Sequence, residues 1–190
     1  NLDWDLDSFL GEVDLSVPAG EKGRSGLEQI WSRPTCDVNG IWGGYTGEGS
    51  KTVIPSQAHA KISFRLVGQQ DPLKIRAAFQ DHIRAHLPAD CTAEFLDYGA
   101  APASNMEITH PAFESARAAL SDEWETEGVY VGCGGSIPIA GHFQNIVGTQ
   151  SMLIGFGQDD DQIHSPNEKY DLRSFHKGIR SWARILAALS

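Results

Sequence analysis

The segment from Ala58 to Val67 places the strongest constraint on the fold, because polar and apolar residues alternate along it without a break. Alternation with a period of two is typical of a β-strand with one buried face. Asp71 can cap a following helix whose first turn contains Pro72, and Pro88 ends it. Apolar residues recur at every fourth position of that helix and predict a buried stripe of Ile75, Phe79, Ile83 and Leu87.

Other strands and helices are predicted around this unit. Thr35 to Tyr45 indicates a strand interrupted by glycines, and Thr92 to Tyr98 indicates a third strand. Short helices are predicted over residues 5–13 and 26–32. The order strand, strand, helix, strand favours an antiparallel sheet with helices on one face.

The pattern changes after the segment from Gly99 to Thr109, which contains Pro102 and few large apolar residues. Val129 to Val131 and Met152 to Ile154 are short apolar runs, as expected for parallel strands buried on both faces. We therefore predict two domains, an α+β domain over residues 1–105 and part of an α/β domain over residues 106–190, with too few strands for a complete sheet.

Three helices are predicted in the second domain, over residues 111–120, 136–144 and 172–189. The last of these helices has apolar residues along one side, which predicts a single buried stripe. The stripe consists of Leu172, Phe175, Ile179, Trp182, Leu186 and Leu189.

Charge and cysteine content exclude several classes of function. The net charge of −10 argues against a nucleic-acid partner, which requires a basic face, and against anionic membranes. Cys36, Cys91 and Cys133 form no CxxC pair, so no zinc ribbon or thioredoxin motif is present. Three reduced cysteines are expected in a cytoplasmic protein. The acidic start of the chain, which is not Met, is interpreted as a boundary inside a longer gene product.

The first candidate site is the sequence GCGGSIP, Gly132 to Pro138, which links an apolar run to a predicted helix. Glycines permit close approach of the backbone, and Ser136 would cap the helix and leave amides that can bind an anion. A capped helix after a tight turn explains the same residues equally well, since a short glycine-rich turn is a weak signal.

The second candidate site is the sequence GFGQDDDQIHSPNEKYD, Gly155 to Asp171, which follows an apolar run. Open α/β sheets place their ligand sites after such strands. A histidine, here His164, among oxygen ligands suits zinc. A solvated acidic loop is the alternative interpretation of this composition.

The third candidate is Arg65, on the polar face of the alternating strand. A guanidinium group in that position can bind a carboxylate through two hydrogen bonds. The alternative is a surface arginine on a solvated sheet face.

These stretches together resemble one family, the zinc metallopeptidases that include carnosinase, cytosolic nonspecific dipeptidase, acetylornithine deacetylase and succinyl-diaminopimelate desuccinylase. The sequence KTVIP, Lys51 to Pro55, followed by FRLV, is similar to the lid of these enzymes. GGSIP and HSPNE are similar to loops of their catalytic domain. The resemblance covers about residues 28–190, and the carnosinase-like dipeptidases are the nearest match.

The resemblance implies a fold and a reaction. The fold is an α/β zinc-exopeptidase domain interrupted by a ferredoxin-like α+β lid that forms a homodimer. The reaction is the hydrolysis of small peptides with a free C-terminal carboxylate, with two zinc ions in the full-length enzyme, or with manganese or cobalt instead.

The resemblance also implies roles for individual residues. His164 matches the last metal-ligating histidine, next to the substrate. Arg65 matches the arginine that holds the substrate's C-terminal carboxylate, and Gly135 and Ser136 match the loop at that end of the substrate. Thr52 matches a threonine that reaches the active site of the partner subunit.

The other metal ligands and the general-base glutamate of the family belong to segments that this chain lacks. One histidine cannot hold two zinc ions. We therefore predict that the chain alone is inactive and binds no zinc tightly. A non-catalytic dimerisation module is one alternative function, and a deacetylase of small N-acyl amino acids is another.

Overall fold

The computed structural model describes residues 4–134 and 137–190, which fall into two units. One unit consists of residues 23–105 together with 132–134 and 137–142. The other consists of residues 4–22, 106–131 and 143–190. The chain as a whole has a mixed fold: the first unit combines helices with a small antiparallel sheet, and the described residues of the second unit form helices and irregular segments. Within the described residues, no helix combines the length and the apolar character needed to cross a membrane.

The first unit is built on a β-hairpin. Strand β1, Thr35–Gly43, pairs antiparallel with strand β2, Ala58–Arg65, and a register shift between Val38 and Gly40 marks a bulge in β1. Along β2 the alternation holds in its second half, where Ile62 and Phe64 are half-buried and their polar neighbours are exposed. The predicted alternation is confirmed over these residues.

Two helices accompany the hairpin. Helix α2, Gly26–Trp31, begins with a capping box in which Ser25 and Glu28 bond each other's backbone N–H groups. Helix α3, Pro72–His86, begins after Asp71, whose carboxylate accepts hydrogen bonds from the amides of the first turn, as predicted. Phe79 of α3 lies edge-on to Phe64 of β2, with ring centroids 5.2 Å apart. The helix therefore covers the apolar face of the hairpin.

The predicted strand from Thr92 to Tyr98 is wrong. The segment carries no strand assignment, and within residues 4–134 and 137–190 the ladder of β1 and β2 is the only one. Side chains of α3 hold the segment instead. Arg76 bonds the carboxylate of Asp97 at 3.2 Å, and the guanidinium of Arg84 lies 4.9 Å from the ring centroid of Phe95. Ala93 and Phe95 are half-buried and their neighbours are exposed, so the burial of the side chains does alternate. The backbone of the segment nevertheless pairs with no other strand among the described residues.

The second unit is organised by two helices, α4 over Pro111–Trp124 and α6 over Leu172–Leu189. The α6 residues that face the core are small, apart from Ile185: the buried positions are Ser174, Gly178, Ser181 and Ile185. Ile185 forms a core cluster with Ala116 and Ala119 of α4. Short side chains at the contact let the two helices approach closely.

A buried carboxylate pins α6 to α4. The Glu123 side chain is 5% exposed, and its two oxygens accept hydrogen bonds from Nε of Arg180 at 2.7 Å and Nε of Arg184 at 2.9 Å. The adjacent Trp124 donates its indole N–H to the hydroxyl of Ser181 at 3.0 Å. Hydrogen bonds from Arg180 and then Arg184 hold the pKa of Glu123 below its usual value.

Two predictions for this unit are wrong. Val129 to Val131 and Met152 to Ile154 carry no strand assignment, and Val129 and Val131 are more than half exposed. A strand requires at least one partner strand, and the described residues provide none for these segments. The predicted stripe of α6 is exposed as well. It is α6's small-residue face that packs on α4, whereas Ile179 and Leu186 on the stripe are exposed.

Short elements complete the chain. Helix α1, Leu6–Gly11, is capped by Asp5, and helix α5, Pro138–His142, continues into a π-helical turn over Phe143–Val147. A 3₁₀ turn over Asp159–Asp161 opens the segment that contains His164. Helix α6 has the bounds that the sequence predicted, whereas α4 extends four residues beyond the predicted end at Leu120.

Replacing Glu123 with Gln is expected to lower the thermal unfolding midpoint by about 5 °C at pH 7, because two arginines lose their buried counter-charge. The matched control is Glu127→Gln, since Glu127 also pairs with an arginine but its side chain is 82% exposed. Because folding lowers the pKa of Glu123, its contribution is complete above the unfolded pKa of about 4.3 and is lost as the pH falls through the lower folded value. Equal midpoints for both variants at pH 7 would contradict this role.

Neighbouring residues of α6 test which face of the helix packs. Ile185 is 2% exposed and Leu186 is 65% exposed. Ile185→Ala should lower the free energy of unfolding by about 2–5 kcal/mol, whereas Leu186→Ala should change it by less than about 0.5 kcal/mol. Urea unfolding of the 190-residue chain measures both. A larger loss for Leu186→Ala would show that the apolar stripe, and not the small-residue face, forms the core contact.

Candidate functional site

Arg65 ends β2 on the hairpin face opposite α3. It pairs with Thr35, so the two residues point to the same side of the hairpin, and Arg65 is exposed. The same face carries a stacked pair, Trp42 and His59, whose ring centroids are 5.0 Å apart, and the ammonium of Lys61 lies 5.8 Å from the Trp42 ring. Arg65 is thus an exposed residue on the polar face of the hairpin, and a guanidinium group is chemically suited to bind a carboxylate.

Thr52 lies in the irregular connection between β1 and β2 and is exposed. That connection leaves the hairpin where Gly43 pairs with Ala58, while Arg65 pairs with Thr35 at the other end. Seven residues of strand separate these two ends, a distance of about 20 Å. The roots of the Thr52 connection and the Arg65 side chain therefore lie at opposite ends of the hairpin.

The loop GCGGSIP is partly described. Gly135 and Ser136, the two residues predicted to bind substrate and to cap the helix, lie outside the described residues. Gly132 and Gly134 lie against the end of α2: a Cβ atom at Gly132 would be 2.5 Å from Cβ of Trp31, and one at Gly134 would overlap the carbonyl oxygen of Ile30. Close backbone approach therefore requires glycine at both positions.

The family to which the sequence is similar usually carries Arg and then an acidic residue where this chain has Gly132 and Cys133. Trp31 gives a physical reason for the first difference, because any side chain at position 132 would collide with it. Cys133 is exposed and reduced.

His164 lies in a closed turn between the 3₁₀ turn and α6. It is exposed, its backbone is left-handed with φ of 66°, and its N–H donates to Oε2 of Glu168 at 3.4 Å. The His164 residue is thus exposed in a hydrogen-bonded turn, and its role as a metal ligand stays a prediction.

The three aspartates before His164 do not behave alike. Asp159 and Asp160 are exposed, whereas Asp161 is 1% exposed. The N–H of Gln158, followed by the ammonium of Lys169, holds the pKa of Asp161 below its usual value. Bonds to Asp160 and then Asp161 raise the pKa of Lys169. Composition alone did not distinguish these aspartates, and the only signal was a lysine eight residues after Asp161.

The described residues do not complete a metal centre. Over residues 4–134 and 137–190, no three His, Cys, Asp or Glu side chains come together in a way that could hold a metal ion. His164 supplies one nitrogen ligand, while zinc sites in proteins use three or four protein ligands. The residues present therefore do not fit a zinc site by themselves.

Comparisons with known proteins show that the chain is similar to metallopeptidases. Residues 4–91 match the family model of a peptidase dimerisation domain. The Cys-Gly metallodipeptidase DUG1 of Saccharomyces cerevisiae is 32% identical over 165 residues, which cover 84% of this chain and 34% of that protein.

Solved structures show the same relationship. An M20 family metallo-carboxypeptidase from Sulfolobus solfataricus has a TM-score of 0.83 and 27% identity, over 97% of this chain and 42% of that one. Human carnosine dipeptidase 1 has a TM-score of 0.77 and 25% identity, over 98% of this chain and 40% of that one. The chain thus spans about two-fifths or less of the proteins that it matches. Residues 4–91 thus match the dimerisation domain of M20 peptidases, and the chain is similar over most of its length to metallopeptidases that include an M20 family member.

Proposed function

We propose that this chain forms the lid and the C-terminal part of the catalytic domain of a zinc-dependent dipeptidase that cleaves small peptides with a free C-terminal carboxylate. The observation that carries the proposal is the position of Arg65, exposed on the polar face of a hairpin in a chain whose relatives include metallodipeptidases. An exposed guanidinium on a rigid strand can receive a carboxylate in a fixed orientation.

Each site residue has a distinct role in this proposal. Arg65 binds the substrate carboxylate, and the amides of Gly135 and Ser136 bind the same end. His164 lies at the scissile end and supplies one ligand to the metal. The remaining ligands come from segments outside this chain, because the described residues contain no group of three or more His, Cys, Asp or Glu side chains that could hold a metal ion.

The lid also mediates assembly in this proposal. Residues 4–91 match a dimerisation domain, and Thr52 lies on a long exposed connection at the end of the hairpin away from Arg65. A homodimer formed through the lid lets Thr52 reach the substrate of the partner subunit. The three exposed, unpaired cysteines among the described residues favour a reducing compartment, which supports a cytoplasmic location.

A non-catalytic dimerisation module is the second candidate function. The absence of a metal-binding cluster from the described residues favours it for the 190-residue chain taken alone. The two candidates differ in whether the chain gains activity when it is joined to further segments.

The 190-residue chain is expected to show no zinc-dependent hydrolysis of Cys-Gly or β-alanyl-histidine, because His164 alone cannot hold the metal. Dipeptide turnover is measured with and without added Zn²⁺, and zinc binding is measured by calorimetry. Turnover that requires zinc and disappears in His164→Ala would show that the chain contains a complete site.

Arg65 can be tested in the full-length enzyme, meaning the polypeptide that contains this chain together with the segments by which its relatives are longer. Arg65→Ala should lower kcat/KM for a dipeptide by about 100-fold, mainly through KM, because a charge-assisted bidentate contact is lost. The control is Lys61→Ala, on the same face of β2, which should change kcat/KM less than about twofold.

A dipeptide amide gives a second control, since it lacks the carboxylate that Arg65 binds. Arg65→Ala should lower kcat/KM for the amide far less than for the free acid. Equal losses on both substrates would mean that Arg65 acts on stability or assembly and not on the carboxylate.

A further inference from the structure

Asp161 is a buried carboxylate with both oxygens already engaged. Oδ2 accepts a hydrogen bond from the N–H of Gln158 at 2.8 Å, and Oδ1 accepts one from the ammonium of Lys169 at 3.0 Å. The side chain is 1% exposed. A buried carboxylate whose oxygens are bonded in this way is a structural anchor and is not available to bind a metal ion.

Lys169 contacts Asp161 through both its side chain and its backbone, and these contacts close the loop that contains His164. Its ammonium bonds the Asp161 carboxylate, and its backbone N–H donates to the Asp161 carbonyl oxygen at 3.0 Å. The backbone bond and the ion pair join the same two residues, so residues 162–168 form a loop with both ends fixed. We call this pair of contacts the Asp161–Lys169 clamp.

The loop inside the clamp has a costly backbone. Gln162, His164 and Asn167 are left-handed, with φ of 52°, 66° and 63°. Such conformations are uncommon for residues other than glycine and persist where the surroundings determine them. Inside the loop, the N–H of Ser165 bonds the carbonyl of Gln162 at 2.9 Å, and the N–H of Glu168 bonds the carbonyl of Ser165 at 3.3 Å.

The clamp is attached to the core through α6. The amide Nε2 of Gln158 donates to the hydroxyl of Ser174 at 3.0 Å, and Ser174 is 2% exposed in the first turn of α6. The hydrogen bond to Ser174 thereby attaches the loop to α6.

We propose that Asp161 is a positioning residue for His164: through its clamp with Lys169 it fixes the backbone of residues 162–168 and thereby the direction in which the imidazole is presented. The proposal rests on the proposed function for the role of His164 itself. The proposal distinguishes Asp161 from Asp160, which also pairs with Lys169 but has a side chain that is 78% exposed.

The test uses four variants of the 190-residue chain, checked for folding by circular dichroism. Asp161→Asn and Lys169→Met break the clamp, Lys169→Arg keeps the cation, and Asp160→Asn removes only the exposed partner of Lys169. Amide hydrogen exchange is measured at the bonded amides of Ser165, Glu168 and Lys169, and the imidazole resonances of His164 are recorded by NMR.

Breaking the clamp should accelerate exchange at those amides about tenfold, as expected for the loss of a charge-assisted hydrogen bond, and should shift or split the His164 resonances. Lys169→Arg and Asp160→Asn should resemble the wild type within about twofold. If Asp161→Asn does not fold, the pair Lys169→Met and Lys169→Arg decides the question. Unchanged exchange and an unchanged His164 spectrum in Lys169→Met would overturn the proposal.

The full-length enzyme separates this inference from the function on which it rests. Asp161→Asn should lower kcat about tenfold and change KM less than twofold, because the histidine is misplaced while the carboxylate contact at Arg65 remains. If His164→Ala leaves kcat/KM unchanged, the proposed function fails even where the clamp orders the loop. If His164→Ala abolishes activity but Asp161→Asn resembles Asp160→Asn, only the positioning role fails.

Discussion

The close contact between α4 and α6 holds the C-terminal unit together, and the candidate histidine depends on it. Ser181 bonds the indole of Trp124 of α4, and Ile185 and the buried Glu123 join the two helices directly. The first turn of the same helix binds Gln158 through Ser174 and so carries the clamped loop of His164. Packing and presentation of the histidine therefore depend on one helix.

The two faces of the hairpin differ, because one packs against α3 and the other is exposed to solvent. The apolar face lies under α3, and the polar face leaves Arg65 exposed at the end of β2. A strand fixes the direction of a side chain better than a loop does, since its backbone is bonded along its length. The chain thus exposes Arg65 at the end of a strand and His164 in a turn, while the described residues supply no complete metal centre.

Local signals in the sequence predicted the parts of the fold that local physics determines. The Asp71 cap, the alternation around Phe64 and the bounds of α6 follow from capping and periodicity, and all three are confirmed. The predicted strands at residues 92–98, 129–131 and 152–154 failed because a strand exists only with a partner, and the described chain offers none. The stripe of α6 failed for a related reason: periodicity shows that a face is apolar but not which surface is present to cover it.

The roles of the candidate site residues stay predictions. The family resemblance singled out Arg65 and His164, and both residues are exposed in the structure. The burial of Asp161 was not predictable, because Asp159 and Asp160 are the same residue type in the same run and only the structure shows that they are exposed while Asp161 is buried. Only the structure shows that one aspartate in the run is an anchor.

A crystal structure of the full-length enzyme with an uncleaved dipeptide tests most directly whether Arg65 and His164 serve one substrate. We predict that the Arg65 guanidinium donates two hydrogen bonds to the C-terminal carboxylate, with the His164 imidazole beside the peptide bond to be cleaved. A dipeptide whose carboxylate is bound by other groups, with Arg65 in solvent, would contradict the assignment.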